Sequence, residues 1–352
     1  MSIVNGSWCR VRWHTGAALA IGLVTALMLA ACSESRPLLE PTPMMTVTPE
    51  PEEFPLPDSE EPPLTELRVA YINLHAPAEG DETAISTFDE RLDLIISELL
   101  EFDPHLVGFS EAYWSADTGR AASRLAGELL MEFQFVLTNP WPEDPETDPD
   151  DYAREQGFAE GHLVLSRFPI LGAADSGELG PRQPYEGARR TALHVVVEAP
   201  SPIGRIDVYI AQLSGGSEIF ELGLAGELVS YITETRGEGT LLLMGNIGSE
   251  SGTLVLQPFL REGFIDLAVE TNGRWANATC CRDALLGPLP RVERRTDFLM
   301  TDGWEAQTVG VFADEPIERN DGSLLYASDH NGVLAVLPVT DEHFPALAAN
   351  PP

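Results

Sequence analysis

Apolar and polar positions along the chain fall into short blocks that separate strands from helices. Leu67–Leu74 (LRVAYINL) reads as a strand, and from Ala84 to Glu101 the residues Ile85, Phe88, Leu92, Ile95 and Leu99 recur at helical spacing on one face. A buried strand follows at His105–Ser110, and Asp117 is placed to cap a helix running to about Phe133. Short strands are expected at Phe135–Thr138, His162–Ser166, Thr191–Glu198 and Arg205–Leu213. A helix over about Ser217–Arg236 leads into the strongly apolar Thr240–Gly245, with further strands at Thr296–Met300, Gln307–Phe312 and Val333–Leu337. No internal repeat is visible. Strands alternating with helices early, and paired strands in the middle, predict two packed sheets with helices outside.

Upstream of these blocks the pattern changes. Arg10 and Arg12 precede an apolar run from Gly16 to Ala31, shorter than the roughly 20 residues a spanning helix needs. The run reads as a secretory signal over residues 1–31. It ends in Leu29-Ala30-Ala31-Cys32, which resembles the bacterial lipobox at all four positions, so Cys32 is the expected lipidated first residue of an extracytoplasmic protein anchored to a bacterial membrane. Ser33–Glu66 holds nine Pro and nine Asp or Glu with few periodic apolar positions, a composition that cannot bury enough surface to offset its ordering entropy. Residues 32–66 are read as a semi-rigid tether, 67–340 as the globular domain and 341–352 as a tail.

The chain of 352 residues carries 21 basic and 56 acidic side chains, a net charge of −35, and every basic residue is Arg. A chain without Lys cannot form a Schiff base, a phosphate-binding loop with its lysine, or a protein kinase site. Such a charge repels a DNA duplex at long range, so duplex nucleic acid is disfavoured as a partner. The carboxylate-rich Pro140–Asp151 lacks the glycine and spacing of a calcium loop and reads as a solvated surface loop. With Cys32 lipidated, Cys280 and Cys281 remain as adjacent thiols, either joined as a vicinal disulfide or kept as a small buried pair; no nearby residue supplies further zinc ligands at the usual spacing. A structural role is the expectation for both.

Candidate chemistry gathers at the ends of the expected strands, in a definite order. Asn73 ends the first, and Asp103-Pro104-His105-Leu106-Val107-Gly108-Phe109-Ser110-Glu111 ends the second. Leu165-Ser166-Arg167-Phe168-Pro169-Ile170, Ala211-Gln212-Leu213 and Leu243-Met244-Gly245-Asn246-Ile247-Gly248 follow, then Arg295-Thr296-Asp297-Phe298 and Ser328-Asp329-His330. This series resembles the endonuclease/exonuclease/phosphatase family over Leu67–Leu337. The resemblance implies an α+β fold, a four-layer αββα sandwich of two mixed β-sheets packed face to face, with one cleft at the sheet ends. It also implies metal-assisted in-line attack of water on a phosphoester, with Mg2+ or Mn2+ as cofactor. Glu111 matches the principal metal carboxylate, Asn73 its supporting amide and Asp329 a second acidic residue near the metal. His330 matches the imidazole that contacts phosphate, and Asp297 the carboxylate that orients it.

Four positions depart from the pattern. Gln212 stands where the family has a histidine, Asn246 where it has the aspartate that deprotonates the attacking water, and Gly248 where it has an asparagine; Ser110 replaces the glutamine before the metal glutamate. An amide is no base, so Asn246 orients water without accepting its proton, and each such loss typically costs about 100- to 10,000-fold. Two readings follow. In one, His330 with Asp297 takes over as proton acceptor and the protein is a membrane-tethered hydrolase of a small or lipid-headgroup phosphoester with impaired or altered catalysis. In the other, the chain is a catalytically inactive relative that acts as a binding module at the cell surface, its polar residues kept because they satisfy one another.

Overall fold

A computed structural model describes residues 63–77, 81–116, 118–142, 144, 146–179, 190–214, 217–248, 253–273, 278–287, 292–340 and 343–344. The chain divides into units 1–59 and 60–352, and the described residues belong to the second. The apolar run to Ala31, Cys32, the tether as far as residue 62, Asp117 and most of 341–352 lie outside the described residues.

In chain order β1 (Glu66–Asn73) is followed by α1 (Glu82–Ser86), α2 (Phe88–Phe102), β2 (Leu106–Ser115), β3 (Gly119–Arg120), α3 (Ala121–Leu129), β4 (Glu132–Asn139), α4 (Pro149–Gln156) and β5 (Phe158–Ser166). Then come β6 (Ile170–Leu179), β7 (Arg190–Glu198), β8 (Arg205–Gln212), α5 (Glu218–Thr235), β9 (Thr240–Asn246), α6 (Gln257–Arg261), β10 (Ile265–Asp266) and α7 (Leu267–Asn272). The chain finishes with β11 (Asp297–Thr301), β12 (Thr308–Phe312), β13 (Ile317–Glu318), β14 (Leu324–Leu325) and β15 (Gly332–Pro338).

Two mixed sheets form the centre. The first runs β12-β15-β1-β2-β5-β4, with β3 paired to β2, and the second runs β10-β11-β9-β8-β7-β6. Each sheet contains one parallel pair, β1 with β2 and β8 with β9. Asn73 and Ser110 are register partners at the end of the first pair, Gln212 and Asn246 at the end of the second. β11 is antiparallel to β9 and starts at Asp297 opposite Asn246, while β15 is antiparallel to β1 and starts just after His330. The polar strand ends singled out in the sequence are thereby brought to the same ends of their sheets.

Alternation along the strands builds the layers. Val69 and Tyr71 face the second sheet, joining Leu106, Val195, Val208, Ile210, Met244 and Leu299 in the interior between the sheets. Ala70 and Ile72 face the other way, against Phe88, Leu92, Ile95 and Leu99 of α2 and Leu125 of α3. On the far side Tyr209, Leu241 and Leu243 pack against Leu224, Leu228 and Ile232 of α5. Because both faces of each central strand are buried, these strands read as nearly unbroken apolar runs. The sheets approach closely enough at Gly108 that a Cβ there would meet Ile210 and Met244.

Several boundaries differ from the sequence reading: the helix expected over Ala84–Glu101 is split at Thr87 into α1 and α2, and the helix expected to be capped by Asp117 begins at Ala121 with Arg120 in the cap position. The helix expected to reach Phe133 ends at Leu129, where Leu130 caps it in the left-handed region with φ 55°. Phe133 and Phe135 belong to β4, where the two-residue spacing of Phe133, Phe135 and Leu137 prevails over helical continuation. In the segment expected to be a solvated loop, Pro140 and Pro142 are buried while Asp144, Glu146 and Asp148 are exposed, and the Asp148 carboxylate caps α4 by accepting from the Asp150 and Asp151 amides.

Beneath the strand ends lies a neutral polar chain. Tyr71 Oη donates to Ser110 Oγ at 2.8 Å, Ser110 Oγ lies 3.2 Å from His162 Nδ1, and His162 Nε2 lies 3.1 Å from the Thr191 carbonyl. With a carbonyl on one ring nitrogen and a hydroxyl donor on the other, His162 is held as the neutral Nε2–H tautomer. Burial pushes its pKa down to about 4 from the ordinary imidazole value of 6.5. The unfolded chain therefore takes up a proton that the native state refuses, and the stability tied to neutral His162 is intact above about pH 6.5 and lost as the pH falls toward 4. By pH 5 the loss amounts to about 2 kcal/mol. Urea unfolding at pH 7 and pH 5 is expected to show this loss in the native sequence and a smaller one, by about that amount, in His162→Gln; equal losses would show that His162 is not held neutral.

Candidate active site

Glu111 reaches the cleft through an irregularity in its own strand. The pairing of β2 with β5 shifts register between Phe109 and Ala112, and Glu111 takes a left-handed φ of 56°. Such a conformation costs a residue with a Cβ roughly 1–2 kcal/mol. Ser110 keeps its side chain inside the sandwich while the bulge turns Glu111 out of it. His75, two residues past the end of β1, is strained in the same way at φ 55°.

Three neutral N–H groups hold the Glu111 carboxylate. Asn73 Nδ2 and Gln212 Nε2 donate to Oε1 at 2.8 and 2.7 Å, and the Ala76 amide donates to Oε2 at 3.0 Å. Asn73 is itself oriented, because its Oδ1 accepts from the His75 amide at 2.8 Å. The Gln212 contact joins the end of the second sheet to the bulge of the first.

On the second sheet, Asn246 Oδ1 accepts from the Gly248 amide at 3.0 Å, which turns Nδ2 toward His330 Nε2, 3.5 Å away. His330 Nδ1 lies 2.7 Å from Asp297 Oδ2, and both residues are almost fully buried. Burial alone would lower the His330 pKa, but the Asp297 charge and hydrogen bond outweigh it and raise it to about 9. His330 thus favours the imidazolium form at neutral pH, with Nδ1–H given to Asp297 and Nε2 beside the Asn246 amide nitrogen. The expectation that it accepts the proton of an attacking water is corrected on this ground: it already carries one.

Asp329 sits one residue before His330. Its Oδ2 lies 3.3 Å from His75 Nδ1, and His75 Nε2 lies 3.7 Å from Asp81. Ser328 Oγ donates to the Asn73 carbonyl at 2.7 Å and accepts from the His330 amide at 3.1 Å, fastening the end of β1 to the approach to β15. A cavity of about 280 Å³ opens beside these residues, lined among others by His75, Asp81, Arg282, Asp283 and Asp329. The seven strand-end residues thus form two linked clusters, Asn73–Glu111–Gln212 and Asn246–His330–Asp297, with Asp329 attached through Ser328 and His75.

No family model and no curated protein matches the sequence. Solved structures do match. An endonuclease/exonuclease/phosphatase family protein from Bacteroides thetaiotaomicron is 16% identical, with 78% of this chain and 98% of that chain covered at a TM-score of 0.58. A mannosyl-6-phosphatase of the same organism is 15% identical over 78% and 100% of the two chains, at 0.57. The human Nocturnin catalytic domain with bound sulfate is 16% identical over 78% and 95%, at 0.54. This chain has the endonuclease/exonuclease/phosphatase fold. Two mixed sheets face to face with helices outside are the architecture that the sequence motifs implied.

For a divalent cation the donor set is oxygen only. Glu111 Oε1 accepts two N–H groups, whereas Oε2 accepts one and keeps a lone pair, and Asp329 and Asp81 supply further carboxylates nearby. These residues fit a hydrated Mg2+ or Mn2+ held by one or two carboxylates. Among the described residues the metal-type side chains whose ligand atoms converge within 4.8 Å are a different and softer set, Cys280, Cys281 and His330.

Several residues of the site carry no local sequence signal. His75 was within reach, lying two residues from Asn73. Glu160, whose carboxyl burial pushes up to about 7 with the Glu111 charge adding to the effect, is brought near only by the pairing of β2 with β5. Arg91 is a fully buried strut in α2. It donates to the carbonyls of Leu74 at 2.8 Å, His75 at 3.2 Å, Ala327 at 3.3 Å and Ala84 at 3.4 Å, tying both loops of the cleft to the helix. Arg91→Leu strands those buried carbonyls and is expected to lower the unfolding free energy by about 2–4 kcal/mol in urea titration; a loss under about 1 kcal/mol would mean that the loops are held elsewhere.

Proposed function

We propose that this protein is a metal-dependent phosphoester hydrolase with slowed or re-specialised catalysis, held at a bacterial membrane surface by a lipid on Cys32 and acting on a small or lipid-linked phosphoester. The observation that carries the hydrolase reading is the Gln212–Glu111 hydrogen bond. It joins the carboxylate cluster of one sheet to the strand end beside Asn246, His330 and Asp297, so that a cation-binding group and a fixed imidazolium border one cleft. The lipobox-type Leu29–Cys32 and the Pro-rich tether support the membrane location, and the net negative charge supports a small or headgroup substrate over duplex DNA.

When bound, a divalent cation supplies charge neutralisation for the transferring phosphoryl oxygens. The remaining work falls to the chain. Asn73, Gln212 and the Ala76 amide hold the Glu111 carboxylate oriented. His330, kept charged by Asp297, donates Nε2–H to a phosphoryl oxygen. Asn246 directs Nδ2–H into the space beside His330, where it orients a water without taking its proton. That missing acceptor is the reason to expect slow turnover.

The same geometry favours one repair. Asp at 246 would still accept from the Gly248 amide and would present an oxygen, in place of an N–H, toward His330. Asn246→Asp is expected to raise hydrolysis of a generic aryl phosphodiester by about 100-fold or more with Mg2+ or Mn2+, and Glu111→Ala or a chelator to abolish it. A native protein indistinguishable from Glu111→Ala, together with an Asn246→Asp variant that binds metal and stays inactive, would overturn the hydrolase reading in favour of a binding module.

A further inference from the structure

The segment carrying the two cysteines is built into the frame of the site. Thr279 and Cys280 amides donate to the Arg294 carbonyl at 2.7 and 2.8 Å, and the Arg294 amide returns to the Cys280 carbonyl at 3.0 Å. On the other side Arg282 N donates to the Asp329 carbonyl at 2.8 Å and Asn331 N to the Thr279 carbonyl at 2.7 Å. Thr279 Oγ1 accepts from the amides of Thr296 and Asp297 at 3.1 and 3.2 Å. The pair is therefore fixed between the start of β11 and the approach to β15.

Cys280 and Cys281 are joined through their sulfurs. Cys280 is 3% exposed, whereas Cys281 is half-buried. Cys281 Sγ lies 3.7 Å from His330 Nε2 and 3.7 Å from Arg294 Nη2, and the far nitrogen of His330 is held by Asp297 at 2.7 Å. A sulfur set among nitrogen donors of this kind is stabilised as thiolate once its bond to another sulfur is broken.

We propose that Cys280–Cys281 is a second reactive centre, a reducible disulfide in which Cys281 is the exchanging sulfur, positioned by Arg294 and the His330–Asp297 pair, and Cys280 the buried resolving sulfur. This goes beyond the phosphoester reading and does not rest on it. The reactive chemistry is thiol–disulfide exchange with a dithiol. One thiolate of the dithiol attacks Cys281 Sγ, the bond between the two cysteines breaks, and Cys280 leaves and takes a proton. The second thiol of the dithiol then attacks the sulfur it shares a molecule with, and Cys281 is released as thiolate beside Arg294. The dithiol loses two electrons and becomes its own disulfide; of its two protons one resides on Cys280 and one goes to water. In the reverse direction the reduced pair reduces a partner disulfide. The separation of roles follows from burial, since a resolving sulfur is best kept from solvent and an exchanging one must be reached. Convergence of the two sulfurs with His330 also suits a soft metal, but Arg294 Nη2 stands 3.7–3.8 Å from both sulfurs and a guanidinium there repels a cation while it attracts a thiolate.

The full chain is reduced with dithiothreitol, freed of reductant and exposed to limiting iodoacetamide at about pH 6, and labelling is read by peptide mass spectrometry. At that pH a thiolate-stabilised cysteine is expected to react about tenfold faster than the same residue in the urea-unfolded chain. Cys281 should show that acceleration and Cys280 should not. Arg294→Gln, at an exposed position, should return Cys281 toward the unfolded rate with the melting temperature unchanged. In Cys280→Ser, which removes the disulfide and leaves the Arg294 and His330 neighbours of Cys281 Sγ in place, the acceleration of Cys281 should persist. Failure of dithiothreitol to reduce the folded protein, equal labelling of the two cysteines, or absence of acceleration in Cys280→Ser would overturn the proposal.

Discussion

The apolar interior between the two sheets, closed tightly enough that Gly108 has no room for a Cβ, is the constraint on which the site depends. Central strands buried on both faces leave no place for an unpaired polar side chain along their length. Polar residues are admitted where they satisfy one another, as in the Tyr71–Ser110–His162 chain, or at the strand ends. Each sheet carries one parallel pair, so two strands end side by side in each, and their last residues are Asn73 with Ser110 and Gln212 with Asn246. The cleft is the consequence of that topology, and the bulge at Glu111 is the local distortion that lets a carboxylate leave its strand and enter it.

Much of this was legible in the chain. The apolar runs at β1, β2, β8 and β9 marked strands buried on both faces, and the polar residue ending each run marked the cleft. What the sequence read less well has identifiable physical causes. The end of α3 was placed too late because apolar residues continue past it, and only the change from helical spacing to the two-residue spacing of Phe133, Phe135 and Leu137 separates helix from strand. The nearness of Cys281 to His330 spans 49 residues and is produced by backbone hydrogen bonds between segments 279–282 and 329–331. Nothing in local composition announces it. The role of His330 as proton acceptor failed for a reason of electrostatics: a buried aspartate fixes the charge on the imidazole, and that depends on a distance of 2.7 Å across residues 33 apart.

A chain with no lysine must supply positive charge through Arg and His alone, and the site shows how these are divided. Arg91 spends its guanidinium on four backbone carbonyls and faces no carboxylate at hydrogen-bond distance, so it acts as scaffold. Arg282 likewise donates to the Ser328 and Asp314 carbonyls and to Asn331. Among the described residues, His330, His75 and Arg294 stand beside the cleft, and Arg190 is close enough to Glu160 to oppose the rise of its pKa. His75 already lies between Asp329 and Asp81, and Arg294 lies beside the cysteine sulfurs.

Two amides border these clusters. Gln212 gives Glu111 a neutral donor and places no competing charge beside that carboxylate. Asn246 differs, because its fixed Nδ2 faces the nitrogen of a protonated histidine and offers no acceptor on that side. The Asn246 side of the cleft thus offers hydrogen-bond donors and no proton acceptor. A site with those properties keeps its polar residues under one physical demand, mutual satisfaction of a buried network, whether its turnover is slow or absent.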